Sequence, residues 1–200
     1  MHESKENIMV IGVAGGVGSG KSTVLDVLEK EYHAHVCMAD ELGHMAMKRG
    51  TDAYLRIVER FGDGILLEDG EIDRNALAEI VYQDKGCLTA LNGIIHPFVK
   101  REIRRQMEDF PPERIFVLET AILFETRCDE LCDEVWGVIT EDETRIRRLS
   151  VSRGYTREKA EYIMKSQMSN AELARRCDYV LVNDGAREEL LYQIHEHMDK

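Results

Sequence analysis

Apolar and polar positions alternate along this chain in two periods. Residues 8–13 form a short apolar run that reads as a buried strand. Glycines follow, and then Val24, Leu25, Val27 and Leu28 fall on one side of a predicted helix. Residues 35–38 read as a second strand. Residues 40–110 are mostly helical in character. Thr51 is suited to cap a helix that ends before Gly62, and Asp73 to cap the next one. A turn at Glu68-Asp69-Gly70 lies between them, and Pro97 predicts a helix start or a kink. Strand character returns at 115–118, 135–139 and 179–182, with a polar helical stretch over 141–176 between the last two. Five strands alternating with helices predict an α/β fold, a parallel sheet covered by helices on both faces. Residues 40–110 then form an insertion over the sheet's C-terminal edge, where ligands bind in such folds.

Size and composition narrow the class. A chain of 200 residues, 44% hydrophobic and 32% charged, suits one soluble domain with an inserted lobe. No apolar run approaches the roughly 20 residues that span a bilayer. The start, MHESKENIMVIG, does not read as an export signal, and Cys37, Cys87, Cys128, Cys132 and Cys177 form no CxxC pair. A cytoplasmic protein with reduced thiols is expected, with no membrane partner. A net charge of −12 argues against a nucleic-acid partner. Yet Arg145, Arg147, Arg148, Arg153 and Arg157 crowd one stretch, followed by Arg175 and Arg176. That cluster fits a small polyanion, or else a solvated helix face with paired charges.

The sharpest chemistry lies at Gly15-Gly16-Val17-Gly18-Ser19-Gly20-Lys21-Ser22, followed by Thr23. It satisfies G-x-x-x-x-G-K-[ST] and sits between a predicted strand and a predicted helix, the context such a loop needs. Glycines let successive backbone N–H groups converge on one anion, and the helix adds its positive end. Lys21 is placed to reach the β- and γ-phosphates of ATP, and the Ser22 hydroxyl to ligate Mg²⁺. The expected fold is therefore a P-loop NTPase three-layer sandwich. Its core lies at about 1–39, 111–140 and 177–200, with a helical substrate-binding insertion at 40–110 and a helical lid at 141–176.

Several segments, taken in order, resemble the dephospho-coenzyme A kinase family. They are GVAGGVGSGKSTV at 12–24, ADELGH at 39–44, FGDGILLEDGEIDRNALAEIVY at 61–82 and IIHPFV at 94–99, followed by ETAILFE at 119–125, RGYTREKAEYIMKSQM at 153–168 and CDYVLVNDG at 177–185. The resemblance implies transfer of the ATP γ-phosphate to the ribose 3′-hydroxyl of dephospho-CoA, by a monomer or weak homo-oligomer. It implies catalytic roles for Lys21, Asp40, Glu119, Arg148 and Arg153. Acceptor contacts follow for Asp40, Arg74, His96, Glu125 and Gln167, and a place beside the adenine for Asn183. Read alone, His96 is as much a helix-packing residue, and Asn183 a turn residue beside Asp184-Gly185.

The chain departs from the family pattern at three positions. Met38 stands where the first Asp of an Asp-x-Asp pair is expected, Ala121 where a proline is, and Ser152 where an arginine is. Met38 removes the carboxylate expected to take the acceptor's proton. Two alternatives therefore stay open: a degenerate member that binds ATP or a CoA-like ligand without efficient turnover, and another small-molecule kinase. Cys128/Cys132 and His195/His197 have no completing ligand cluster in sequence and read as packing or surface residues rather than a metal site.

Overall fold

The structure is a computed structural model that describes residues 8–111, 114–120 and 122–199. Ala121 and the first seven residues, which carry most of the N-terminal reading, lie outside the described residues. The chain divides into two compact units, one from Met1–Cys37 with Phe110–Lys200 and one from Met38–Asp109.

The first unit is built on five strands: β1 (Met9–Gly15), β2 (His35–Met38), β3 (Ile115–Glu119), β4 (Glu134–Ile139) and β5 (Tyr179–Val182). Their order is β2-β3-β1-β4-β5, and β1, β3, β4 and β5 run parallel. Phe116, Val117 and Leu118 are consecutive and all fully buried. Successive strand residues point to opposite faces, so both faces are covered, as a parallel sheet requires. α1 (Lys21–Glu31), α8 (Asn170–Arg176) and α9 (Arg187–Met198) pack on the strands, while α6 (Asp142–Arg153) and α7 (Arg157–Lys165) pack on each other. Val24, Leu25, Val27 and Leu28 form the buried side of α1, as their spacing predicts.

β1 lies between β3 and β4, and the chain crosses it on passing from one to the other. This is a switch point, which opens a crevice beyond the strands' carboxyl ends. The cysteines of this unit serve packing. The Cys132 Sγ donates to the Cys128 carbonyl at 3.5 Å, and burial pushes the Cys132 thiol up to about 12 and that of Cys177 to about 11. His195 pairs with Glu31 at 2.9 Å and His197 with Glu134 at 2.6 Å.

The second unit holds α2 (Ala39–Ala46), α3 (Asp52–Phe61), α4 (Arg74–Gln83) and α5 (Lys85–Glu108). Thr51 accepts the Tyr54 N–H at 2.9 Å, and Asp73 accepts those of Asn75 and Ala76, so both predicted caps form. Asp84 caps α5 in the same way. The helices close on Ala46, Ile57, Ile65, Leu77, Ile94 and Phe98. Pro97 neither starts nor ends a helix but lies inside α5. The missing N–H costs one intrahelical bond, but Ile94, Phe98 and Val99 on either side are buried and carry the helix through. Among the described residues, no helix is long and apolar enough to cross a membrane.

Candidate active site

The phosphate loop joins β1 to α1. Gly20 holds the left-handed conformation, φ 96°, and a Cβ there would lie 2.0 Å from the Asn183 Nδ2. Both the backbone and the space demand glycine. Gly20 also caps α1 with no side-chain hydrogen bond, and no acidic residue occupies the helix's first turn. The first N–H groups of α1 therefore keep their capacity for an anion. The Ser19 hydroxyl is buried without a hydrogen-bond partner among the described residues. An oriented amide end and an unsatisfied hydroxyl fit a phosphate group.

Two groups mark the loop's reactive side. The Lys21 Nζ donates to the Gly15 carbonyl at 2.8 Å and lies 3.7 Å from the Glu119 Oε1. Glu119 ends β3 level with Val13 of β1 and is only 7% exposed. Ser22 is exposed in the first turn of α1, with Thr23 half-buried after it. Ser22 and Glu119 thus offer one hydroxyl and one carboxylate at one end of the sheet, the oxygen donors that suit Mg²⁺ held mainly through phosphates and water.

Behind the loop lies a polar hub. The Asn183 Nδ2 donates to the Ser19 carbonyl at 2.7 Å, and the Thr140 hydroxyl lies 2.9 Å from the same oxygen. Arg148 reaches Thr140 at 3.5 Å and the Asn183 Oδ1 at 3.4 Å. The Asn183 side-chain amide is thus spoken for by the protein itself. Gln167 likewise turns to the loop, its Oε1 accepting the Val17 N–H at 2.9 Å. Thr140 escaped the sequence reading, and Arg145 entered it only as one of a cluster, because a lone Thr and one Arg among several carry no local signal.

The arginine cluster separates in the same way. Arg157 pairs with Glu143 and Glu161, and Arg175 with Glu172. Arg176 stacks on the Phe124 ring at 4.2 Å. Arg145 is buried, Arg148 is half-buried, and Arg147 and Arg153 stay exposed. The Ser152 hydroxyl donates back to the Arg148 carbonyl at 2.7 Å. A cleft beside the loop is lined by Gly15, Gly16, Thr120, Phe124, Glu125 and Gln167.

Three expected residues belong to the helical unit. Asp40 is exposed in the first turn of α2, and Arg74 is exposed at the start of α4. The Arg74 Nη2 lies 2.9 Å from the His44 Nε2. His96, half-buried on α5, has its pKa lowered first by burial and then by Lys100.

A parallel sheet with a glycine loop, lysine and hydroxyl between its central strand and first helix defines a P-loop phosphotransferase. The dephospho-CoA kinase family profile matches residues 9–189. A dephospho-CoA kinase of Carboxydothermus hydrogenoformans is 36% identical over 187 residues, covering 92% of this chain and 90% of that protein. One of Geobacter sulfurreducens is 39% identical over 189 residues, covering 94% and 95%. A crystal structure of a Thermus thermophilus protein superposes with a TM-score of 0.80 at 28% identity, covering 96% of this chain and 97% of that one. This chain belongs to the dephospho-CoA kinase family.

Proposed function

We propose that this protein transfers the γ-phosphate of Mg-ATP to the ribose 3′-hydroxyl of dephospho-CoA, giving coenzyme A and ADP. The observation that carries this reading is the family match over residues 9–189, with an intact phosphate loop on the central strand. In this reading it acts in the cytoplasm, as a monomer or weak homo-oligomer, without a nucleic-acid or membrane partner.

The chemistry asks for in-line placement and neutralised charge rather than covalent participation. The loop amides of residues 15–20 and the N-terminus of α1 hold the phosphates, with Thr23 in the first turn. Lys21 leaves the Gly15 carbonyl for the β- and γ-phosphates. Ser22 and Glu119 would hold Mg²⁺, which would supply charge neutralisation across the transferring group. Arg148 and Arg153 bring positive charge from α6. Asp40, Arg74, His96, Glu125 and Gln167 are the acceptor-side residues. Glu119 or Asp40 takes the acceptor's proton. A loose transition state delays that transfer and so lowers the demand for a strong base.

Met38 favours a second reading, a member that binds both ligands but has lost its base. A coupled ADP-release assay with dephospho-CoA, AMP, gluconate or no acceptor tests the first. Release that does not depend on dephospho-CoA would sink it. Met38→Asp tests the second. We expect a wild-type turnover of about 1–100 s⁻¹ and little gain from the substitution. A gain of several hundredfold, within the roughly 10²–10⁴ that a general base contributes, would mean that the base was lost.

A further inference from the structure

Val17, at the tip of the phosphate loop, is held on three sides by residues far from it in sequence. Its N–H donates to the Gln167 Oε1 at 2.9 Å. Its carbonyl accepts from the Arg145 Nε at 3.0 Å. Its side chain packs against the small apolar cluster of Ile146, Leu149 and Ala160 formed by α6 and α7. The two polar arms are joined, since the Arg145 Nη2 donates to the Gln167 Oε1 at 3.2 Å.

Arg145 is 3% exposed, and its acidic neighbour Asp142, at 3.6 Å, lies out in solvent. A buried guanidinium is costly unless its donors are used. Here they are spent on one loop peptide and on the amide that grips the same peptide. The contact is close enough to shape the loop, because a Cβ on Gly16 would lie 2.2 Å from the Arg145 Nη2.

We infer that Arg145 and Gln167 are positioning residues for nucleotide binding, a two-armed clamp that fixes the Val17 peptide and so the curvature of the phosphate loop. The inference rests on the proposed use of that loop for ATP phosphates, and it gives Gln167 a loop-holding task in addition to any contact with the acceptor. A loop fixed before ATP arrives loses less conformational freedom on binding, so the clamp acts on nucleotide affinity. Neither residue needs to touch the nucleotide to do so.

The test compares Arg145→Met, Gln167→Met, their double variant and Arg145→Lys, with ATP affinity measured by calorimetry in the absence of acceptor. Each methionine variant should weaken ATP by roughly 10–100-fold, the scale of a displaced binding group. The double variant should be no worse than the poorer single, because both arms hold one peptide. Arg145→Lys, which keeps one donor for the Val17 carbonyl, should recover part of the loss. In the Arg145 variants the KM for dephospho-CoA should stay within about threefold, where general loosening of the fold would move both ligands together. ATP affinity within about twofold of wild type in a folded single variant, or additive losses in the double, would overturn the clamp. If Arg145→Met gives no cooperative thermal transition, the half-buried Gln167→Met decides alone. A wild type that binds ATP but ignores dephospho-CoA would sink the proposed acceptor while leaving the clamp intact.

Discussion

The phosphate loop and the helical unit hold their polar and charged groups differently. Around the loop, Arg145, Thr140, Asn183 and Gln167 are buried or half-buried, and each hydrogen-bonds to loop backbone. On the helical unit, Asp40 and Arg74 are exposed, and Arg74 meets His44 of the same unit. The first arrangement spends its polar groups on holding a shape. The second leaves charges solvated on helix termini, where ordering must be completed by whatever binds. Losses on the loop side should therefore strike ATP handling and be large, whereas losses on the helical side should be smaller and confined to the acceptor.

The sharpest way to break this division is Lys21→Met. It should lower kcat/KM for ATP by about 10²–10³-fold, the range for removing one preorganised charge at a reacting group. Steady-state ADP release checks it, and a loss under tenfold would show that the lysine is not the principal cation there. Arg74→Ala comes next. A charged hydrogen bond is worth about 1.5–3 kcal/mol, so the KM for the acceptor should rise at least roughly tenfold with the KM for ATP nearly unchanged. An equal rise in both would erase the distinction between the two regions.

The smallest effect concerns His96. Burial, with Lys100 adding to it, lowers its pKa from the ordinary 6.5, so the fold favours the neutral ring. Above about pH 6.5 the ring is neutral folded and unfolded alike, and its contribution is fully present. As the pH falls below that value the unfolded chain binds the proton first, and stability declines until the folded ring also titrates. His96→Gln should therefore flatten the fall of the thermal midpoint between about pH 7 and pH 5. An unchanged slope would show that the ring's surroundings do not disfavour its charge.

What sequence reading reached, and what it missed, divides along the range of the interactions involved. The caps at Thr51 and Asp73 were legible because an N-cap bonds to backbone two or three residues away. The three inner strands were legible because runs buried on both faces are largely apolar. Pro97 reads as a helix start or a kink, and it lies inside α5, where burial of its neighbours outweighs one lost bond. The loop contacts of Arg145 and Thr140 were not legible, because their loop partners lie 128 and 121 residues away.

The sequence by itself determined that a lysine and a hydroxyl follow a glycine loop between strand and helix, and that nearly the whole chain resembles one kinase family. Both are matters of order and spacing along the chain. Only the tertiary structure decided what the arginines do. Seven of them crowd residues 145–176, indistinguishable in composition. Folding buries one under the loop, brings one to Asn183, stacks one on Phe124, pairs two with glutamates and leaves two exposed. A guanidinium's role follows from its burial and its partners, and those are set by which distant backbone it meets.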